Sequence, residues 1–202
     1  QTFSDEVLRN IGRRHTAQDI LDCYRTARRV GHDNINMDLI AGLPGDTVEG
    51  FRHSLQSAID LDPENITVHT LTLKRASNLV VEHRAADYAD VAAMVESCEL
   101  LEKAGYRPYY LYRQKYMSGS FENVGWSRPG GECWYNVDIM SELCSILSFG
   151  AGGSTKMVEP GTNHIERVFN LKYPKEYTER PEKIQQNQAA FAEFYQKYVP
   201  ET

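Results

Sequence analysis

The stretch Asn34-Ile35-Asn36-Met37-Asp38-Leu39-Ile40-Ala41-Gly42-Leu43-Pro44-Gly45 constrains the fold of this chain more than any other. Ile35, Met37, Leu39 and Ile40 make a mostly apolar run that stops at a Gly/Pro turn, which predicts a buried strand. Side chains alternate across a strand, so Ile35, Met37 and Leu39 share one face while Asn36, Asp38 and Ile40 share the other. An acid in the middle of such a strand is costly unless paired or hydrogen-bonded, so Asp38 requires a partner. Asp46 and Glu49 stand in capping-box positions at the head of a following helix. The result is a βα unit with its polar residues toward the C-terminal end of the strand, the end where α/β barrels bind ligands. An Asp bonded to neighbouring backbone in an ordinary α/β core has the same pattern.

The flanking segments repeat the alternation. Ser4 is placed to cap a short helix ended by Gly12. Thr16 and Asp19 predict a second cap, with a helix through Ile20, Leu21, Tyr24 and Ala27 to Gly31. A helix is expected from about Thr47 to Leu61, with Val48, Phe51, Leu55 and Ile59 on one face. Ile66–Leu73 reads as a second strand, and a long helix runs from about Ala85 to Lys103 with Gly105 as its stop. This order is the βα alternation of a mainly parallel sheet.

After Gly105 the character changes. Tyr106 to Met117 is tyrosine-rich and extended. A loop carrying Gly125, Pro129, Gly130 and Gly131 leads to a helix around Asn136–Ile146. Leu147–Val158 is strand-like despite Gly150, Gly152 and Gly153, glycines that mark a bulge or a close backbone approach. His164–Asn170 is a candidate partner strand, and Lys175–Tyr198 a closing amphipathic helix. Two regions are therefore expected, 1–105 and an antiparallel or mixed extension over 106–202.

Composition narrows the function. The chain has 202 residues, 41% of them hydrophobic, enough for one large domain or most of one. A net charge of −6 argues against a general nucleic-acid binder. No run approaches the roughly 18 apolar residues of a membrane span. Cys23, Cys98, Cys133 and Cys144 are widely spaced and are read as reduced thiols of a cytoplasmic protein. The chain opens on Gln1 and runs straight into Ser4-Asp5-Glu6, as a piece of a longer chain or a processed one would.

Gln1, the Arg13-Arg14 pair and Asp38 are the polar features that could converge on one ligand. A carboxylate suits ribose hydroxyls or an ammonium group, and an arginine suits a carboxylate. Solvated arginines at a helix end read equally well. The six histidines form no H-x-x-x-H or H-E-x-x-H, so no metal site is expected. Neither a G-x-S-x-G elbow nor a P-loop is present. The tyrosine run is either core packing or the wall of an aromatic-lined pocket.

Several segments, in order, resemble the oxygen-independent coproporphyrinogen oxidase family of radical S-adenosylmethionine (SAM) enzymes. They are Gln1-Thr2-Phe3-Ser4-Asp5-Glu6-Val7-Leu8, Gly12-Arg13-Arg14-His15-Thr16, Asn34–Pro44, Arg128-Pro129-Gly130-Gly131-Glu132-Cys133 and Phe149-Gly150-Ala151-Gly152-Gly153-Ser154. Tyr110-Leu111-Tyr112-Arg113-Gln114-Lys115 and His164-Ile165-Glu166-Arg167-Val168 most resemble the coproporphyrinogen dehydrogenase branch. The resemblance implies an α/β fold, the C-terminal part of a partial (βα)6 barrel over 1–105 followed by a β-rich α+β extension over 106–202.

It also implies a chemistry. In this family a [4Fe–4S] cluster reductively cleaves SAM to a 5′-deoxyadenosyl radical, which abstracts hydrogen from two propionates of coproporphyrinogen III, and decarboxylation leaves vinyl groups. By position, Gln1, Arg13 and Asp38 match SAM-contacting residues, and Ile40 and Thr72 match the adenosine pocket. The family's cluster is held by C-x-x-x-C-x-x-C, a spacing absent from this chain, so the cluster ligands are expected outside it and the chain alone is expected to be inactive. The implied partners are a tetrapyrrole, the N-terminal half of the polypeptide and an electron donor. Arg13, Arg14, Arg113, Lys115, Arg128, Lys156 and Arg167 are candidates for the tetrapyrrole carboxylates. Relatives that act as haem chaperones give an alternative without decarboxylation. A natural subunit with a structural or regulatory role, lacking the cluster half, is a third reading.

Overall fold

The computed structural model describes residues 1–71, 87–112 and 121–199. Thr72, Leu73, Arg113, Gln114, Lys115 and, at the start of the expected long helix, Ala85 and Ala86 lie outside the described residues. The chain divides into two compact units, Gln1–Cys133 and Trp134–Thr202.

In the first unit, helix α1 (Asp5–Asn10) starts where the Ser4 hydroxyl accepts the Val7 N–H. Helix α2 (Ala17–Arg29) opens on a reciprocal box, Thr16 N–H to Asp19 Oδ2 at 2.8 Å and Asp19 N–H to Thr16 Oγ1 at 3.3 Å. Strand β1 is Asn36–Ala41, and helix α3 is Val48–Asp60. The cap of α3 is Thr47, not Asp46: its hydroxyl accepts the Gly50 N–H at 3.0 Å. Position N3 is then a glycine with no side chain to reach back, so the expected box with Glu49 does not form.

Strand β2 (Asn65–Thr70) pairs in parallel with β1, as the alternation requires. The expected long helix is two, α4 (Tyr88–Glu96) and α5 (Glu99–Lys103). The Ser97 hydroxyl bonds back to Ala93 O at 2.9 Å, and its N–H is shared between Ala93 O and Met94 O at 3.2 and 3.1 Å. That back-bonding tightens the turn and breaks the helix.

Strands β3 (Arg107–Tyr112) and β4 (Asn123–Ser127) are antiparallel and complete a sheet of order β1-β2-β4-β3. They join the same sheet as β1 and β2, so the change of character after Gly105 falls inside the first compact unit. One face of the sheet is the core. Leu39, Ala41, Ile66, Val68 and Trp126 pack with Phe51, Leu55 and Ala58 of α3 and with Met94, Cys98 and Leu101. Phe51 and Leu55 lie at its centre, and Val48 and Ile59 are partly buried against it, as the helix period predicts.

Gly125 is not a loop residue. It sits in the middle of β4, paired with Thr67 on one side and Tyr110 on the other. A Cβ there would meet Tyr110 Cε1 at 1.9 Å, so the ring of Tyr110 occupies the place a side chain would take. Strand propensity alone argues against glycine here, and the ring laid across it supplies the missing packing.

The second unit contains helix α6 (Trp134–Ser141), an antiparallel pair β5 (Ser154–Val158) and β6 (Ile165–Phe169), and helices α7 (Pro174–Glu179) and α8 (Pro181–Tyr198). Helix α6 ends earlier than expected because Glu142 takes a left-handed φ of 53°. The closing helix is interrupted at Arg180, which the following Pro181 keeps out of the helical conformation, at φ −124° and ψ 65°. The glycines of 150–153 lie in the turn before β5, where Asn170 Nδ2 donates to Ser148 O and Gly150 O at 3.2 and 3.0 Å. Asn187 of α8, nearly fully buried, ties the helix to Phe169 O at 3.1 Å and Asn170 Oδ1 at 2.8 Å.

The Tyr110 ring makes a testable demand on β4. Gly125→Ala should destabilise the protein by about 1–3 kcal/mol in urea unfolding. In a Tyr110→Leu background the same change should cost much less. Equal costs in the two backgrounds would show that the ring is not what excludes the methyl group.

Candidate functional site

The face of the sheet away from the core is polar and aromatic. Strand alternation and register line its side chains up in rows: Asp38 pairs with Thr67, Thr67 with Gly125, and Gly125 with Tyr110. In the next row Ile40 pairs with His69. Tyr110 and Tyr112 reach back across β4 toward β2. Their rings are parallel within 5° and 6.4 Å apart. The Tyr110 hydroxyl lies 3.5 Å from Thr67 Oγ1, and the Tyr112 hydroxyl 3.3 Å from His69 Nδ1.

Asp38 has the partners its position requires. Asn36 Nδ2 donates to its Oδ1 at 2.7 Å, and His69 Nε2 lies 3.5 Å from its Oδ2. Its side chain remains 55% exposed, so the carboxylate is held without being covered. The His69 contact holds the Asp38 carboxyl below the usual carboxylate range, with Asn36 adding to the effect and burial opposing it.

Gln1 is anchored from two sides. Its carbonyl accepts the Ile40 N–H at 3.0 Å, while the next two residues are tied to Ser54 of α3, through Thr2 Oγ1 at 3.1 Å and the Phe3 N–H at 2.9 Å. The Gln1 amide oxygen is buried without a hydrogen-bond partner. Asp38 and Arg13 both lie within electrostatic range of the Gln1 main-chain nitrogen. Arg13 follows the left-handed Gly12, where its N–H closes onto Leu8 O at 2.8 Å and its side chain is exposed. A groove of about 560 Å³ runs beside β1, lined by Gln1, His15, Cys23, Tyr24, Asn36 and Asp38 among others. The structure thus brings Gln1, Asp38 and Ile40 together with Arg13 in electrostatic range; Thr72 lies outside the described residues.

Other candidate cations are engaged elsewhere. Arg128 bonds Asp62 Oδ1 at 2.6 and 3.1 Å and the Ala104 carbonyl, and its guanidinium lies 4.1 Å from the Tyr106 ring centre. Lys156 is buried with Nζ on Ile139 O at 3.2 Å, and Arg167 pairs with Glu142 at 2.9 Å. Arg128 and Lys156 are thus bonded within their own units, and Arg167 sits in a half-exposed ion pair. Tyr106, the first of the tyrosine run, is core: its hydroxyl donates to Pro63 O at 2.7 Å. The Cys98 thiol is pushed up to about 12 by burial and is inert as a ligand or nucleophile. Among the described residues no three His, Cys, Asp or Glu side chains stand close enough together to hold a metal ion. The described residues therefore do not fit an iron–sulfur cluster. Nor is any described helix long and apolar enough to cross a membrane.

Comparison with known proteins gives this geometry a context. The family model of the radical SAM superfamily matches residues 1–58. Over 89% of its length the chain is 45% identical to the oxygen-independent coproporphyrinogen-III oxidase-like protein HemZ of Bacillus subtilis, of which it covers 37%. These matches make the chain similar to the radical SAM coproporphyrinogen oxidase-like proteins over their C-terminal region. It is also 29% identical, over 88% of its length, to the heme chaperone HemW of Haemophilus influenzae, of which it covers 43%. A solved structure of the coproporphyrinogen III oxidase HemN from Escherichia coli, a radical SAM enzyme, matches 99% of this chain and 51% of its own with a TM-score of 0.63. At 16% identity that likeness carries the fold alone. The chain corresponds to the C-terminal region of these proteins and spans less than half the length of the curated relatives.

Sequence reasoning gave Thr67 and His69 no role, and left Tyr110 and Tyr112 within a tyrosine run that is either core packing or a pocket wall. The available signal was parity: in Asn65–Thr70 the residues Asn65, Thr67 and His69 alternate with Ile66 and Val68.

The two aspartates at this end of β1 should titrate in opposite directions. Burial raises the Asp46 carboxyl, partly offset by the Thr47 N–H on its Oδ1, while Asp38 is lowered. Asp38 therefore contributes stability above its unfolded pKa that is lost as pH falls through its lower folded value. The Asp46 contribution is present below its unfolded pKa and is lost as pH rises through its higher folded one. Carboxyl carbon-13 NMR should find Asp46 taking up its proton at higher pH than Asp38; the reverse order would refute the assignment.

Proposed function

We propose that Asp38, Gln1, Arg13 and Ile40, with Thr72, hold S-adenosylmethionine. The observation that carries this reading is the Asp38 carboxylate: hydrogen-bonded to Asn36 at Oδ1, faced by His69 at Oδ2, half exposed, and lining a groove that Gln1 also lines. A carboxylate accepts hydrogen bonds from both hydroxyls of a ribose, and Gln1 Oε1 has an acceptor site free for a donor such as the methionyl ammonium. The exposed Arg13 guanidinium suits the methionyl carboxylate, and the Ile40 side chain offers an apolar surface beside Asp38 for the adenine. Bound there, S-adenosylmethionine supplies a hydrogen-abstracting adenosyl group; the residues of this chain bind and orient it. The [4Fe–4S] cluster ligands belong outside this chain.

For the whole protein we infer oxygen-independent oxidative decarboxylation of coproporphyrinogen III to protoporphyrinogen IX, a step of haem biosynthesis, with an electron donor as a further partner. The 45% identity to a coproporphyrinogen oxidase-like protein supports it. A haem-chaperone function is the second reading, favoured by the 29% identity to a heme chaperone over a similar span. The two part on product: anaerobic incubation of the full-length protein with coproporphyrinogen, S-adenosylmethionine and a reductant yields protoporphyrinogen under the first and leaves the propionates intact under the second.

The site is tested separately. Hydrogen bonds to charged groups are worth roughly 1.5–3 kcal/mol, so Asp38→Asn or Arg13→Ala in the full-length protein should weaken S-adenosylmethionine binding by about ten- to a hundredfold. Both variants should keep their iron content and lose most 5′-deoxyadenosine formation. Parent-like binding and cleavage by both would make Asp38 and Arg13 structural residues.

A further inference from the structure

His69 stands between two strands it does not belong to. On one side Nε2 faces Asp38 Oδ2 of β1 at 3.5 Å, and on the other Nδ1 faces the Tyr112 hydroxyl of β3 at 3.3 Å. A neutral imidazole has one N–H and one acceptor nitrogen. A carboxylate accepts only, so the two contacts are satisfied together in one tautomer: Nε2–H directed at Asp38, and Nδ1 accepting the Tyr112 O–H. The Tyr112 ring also meets the imidazole edge-on at 6.3 Å. The other oxygen of Asp38 is held through a second chain. Asn36 Nδ2 donates to Oδ1 at 2.7 Å, Thr67 Oγ1 donates to Asn36 Oδ1 at 2.9 Å, and the Tyr110 hydroxyl lies 3.5 Å beyond.

We propose that His69 is a positioning residue for S-adenosylmethionine, fixing the Asp38 carboxylate in the orientation that receives the ribose, and that Tyr112 fixes His69 in turn. The inference rests on the reading of Asp38 given above. The terminal torsion of an aspartate is broad, so an untied Asp38 would sample many orientations and lose that freedom on binding. Restraining it beforehand, by the Asn36 hydrogen bond at Oδ1 and the His69 contact at Oδ2, removes part of that cost, which is how preorganisation raises affinity. Each carboxylate oxygen has about two acceptor sites, so one bond to each from the protein leaves room for the ligand hydroxyls. The arrangement also makes affinity at β1 depend on a tyrosine of β3, on the far edge of the same sheet.

Calorimetric titration of S-adenosylmethionine into the full-length, cluster-loaded protein under anaerobic conditions tests this without turnover. His69→Leu should weaken binding about tenfold, the size of one bond to a charged group. His69→Gln, whose amide places a donor near the Nε2 position, should recover affinity to within about threefold of the parent. Tyr112→Phe should weaken it about threefold, and it carries the test if His69→Leu fails to fold. In the Asp38→Asn background, His69→Leu should add little further loss, because its effect passes through Asp38. Tight binding by His69→Leu or by its Tyr112→Phe substitute, beside weak binding by Asp38→Asn, overturns the inference alone. Fully additive losses also overturn it. Parent-like binding by Asp38→Asn overturns the ribose reading and the inference with it.

Discussion

The parallel pairing of β1 with β2, in a register that sets Asp38 opposite Thr67, is the constraint from which the rest of the first unit follows. Side chains alternate across the sheet, so this register sends Leu39, Ala41, Ile66 and Val68 to the helices and leaves Asp38, Thr67 and His69 on the opposite face. A slip of one residue would put Asp38 in the core and Leu39 in solvent, with a desolvation cost no local bond could offset. The hydrophobic core therefore enforces the site: burying Phe51 and Leu55 against one face keeps the other face polar and in order.

The two ends of these strands do different work. At the N-terminal end, Asn65 Nδ2 donates to Asn34 Oδ1 and Gly131 O, each at 2.7 Å, and Asn34 Nδ2 reaches the same carbonyl at 3.1 Å. Glu64 accepts the Ile35 N–H and pairs with Arg28, both at 2.9 Å, and its carbonyl takes the Arg128 N–H at 2.8 Å. Gly131 has no room for a side chain, since a Cβ would lie 3.0 Å from that of Glu64. The Arg128-Pro129-Gly130-Gly131 motif is thus a clasp across the start of β1 and β2. Asp38, the third of the six residues of β1, and Ile40 beyond it lie further along the strand, past this clasp.

Much of this was legible in the order of residues. The period-two pattern of Ile35–Ala41 gave the faces of β1, and the 3.6-residue spacing of Val48, Phe51, Leu55 and Ile59 gave the buried stripe of α3. Thr16 with Asp19 gave the start of α2, and the quoted motifs gave the family resemblance. These are local properties, set by propensity, period and short-range hydrogen bonds. Errors arose where two local rules competed. Asp46 reads as the cap of α3, but the adjacent Thr47 takes that place; a serine whose hydroxyl bonds the preceding turn split a helix that reads as continuous; and Pro181 interrupted an amphipathic run.

The sequence by itself determined that Asp38 lies on the polar side of a strand and must have a partner. Asn36, two residues away on the same face, is a local partner; only the tertiary structure decided that His69, on another strand, is the second, because register across a sheet is not written in either strand alone. The same holds for Gly125, which looks like a loop residue until the Tyr110 ring is seen lying across it. It holds too for Arg128, a plausible carboxylate binder whose charge is spent on Asp62 and on the face of Tyr106. In each case the deciding contact joins residues far apart in the chain, and its geometry exists only once the core has closed around the opposite face of the sheet.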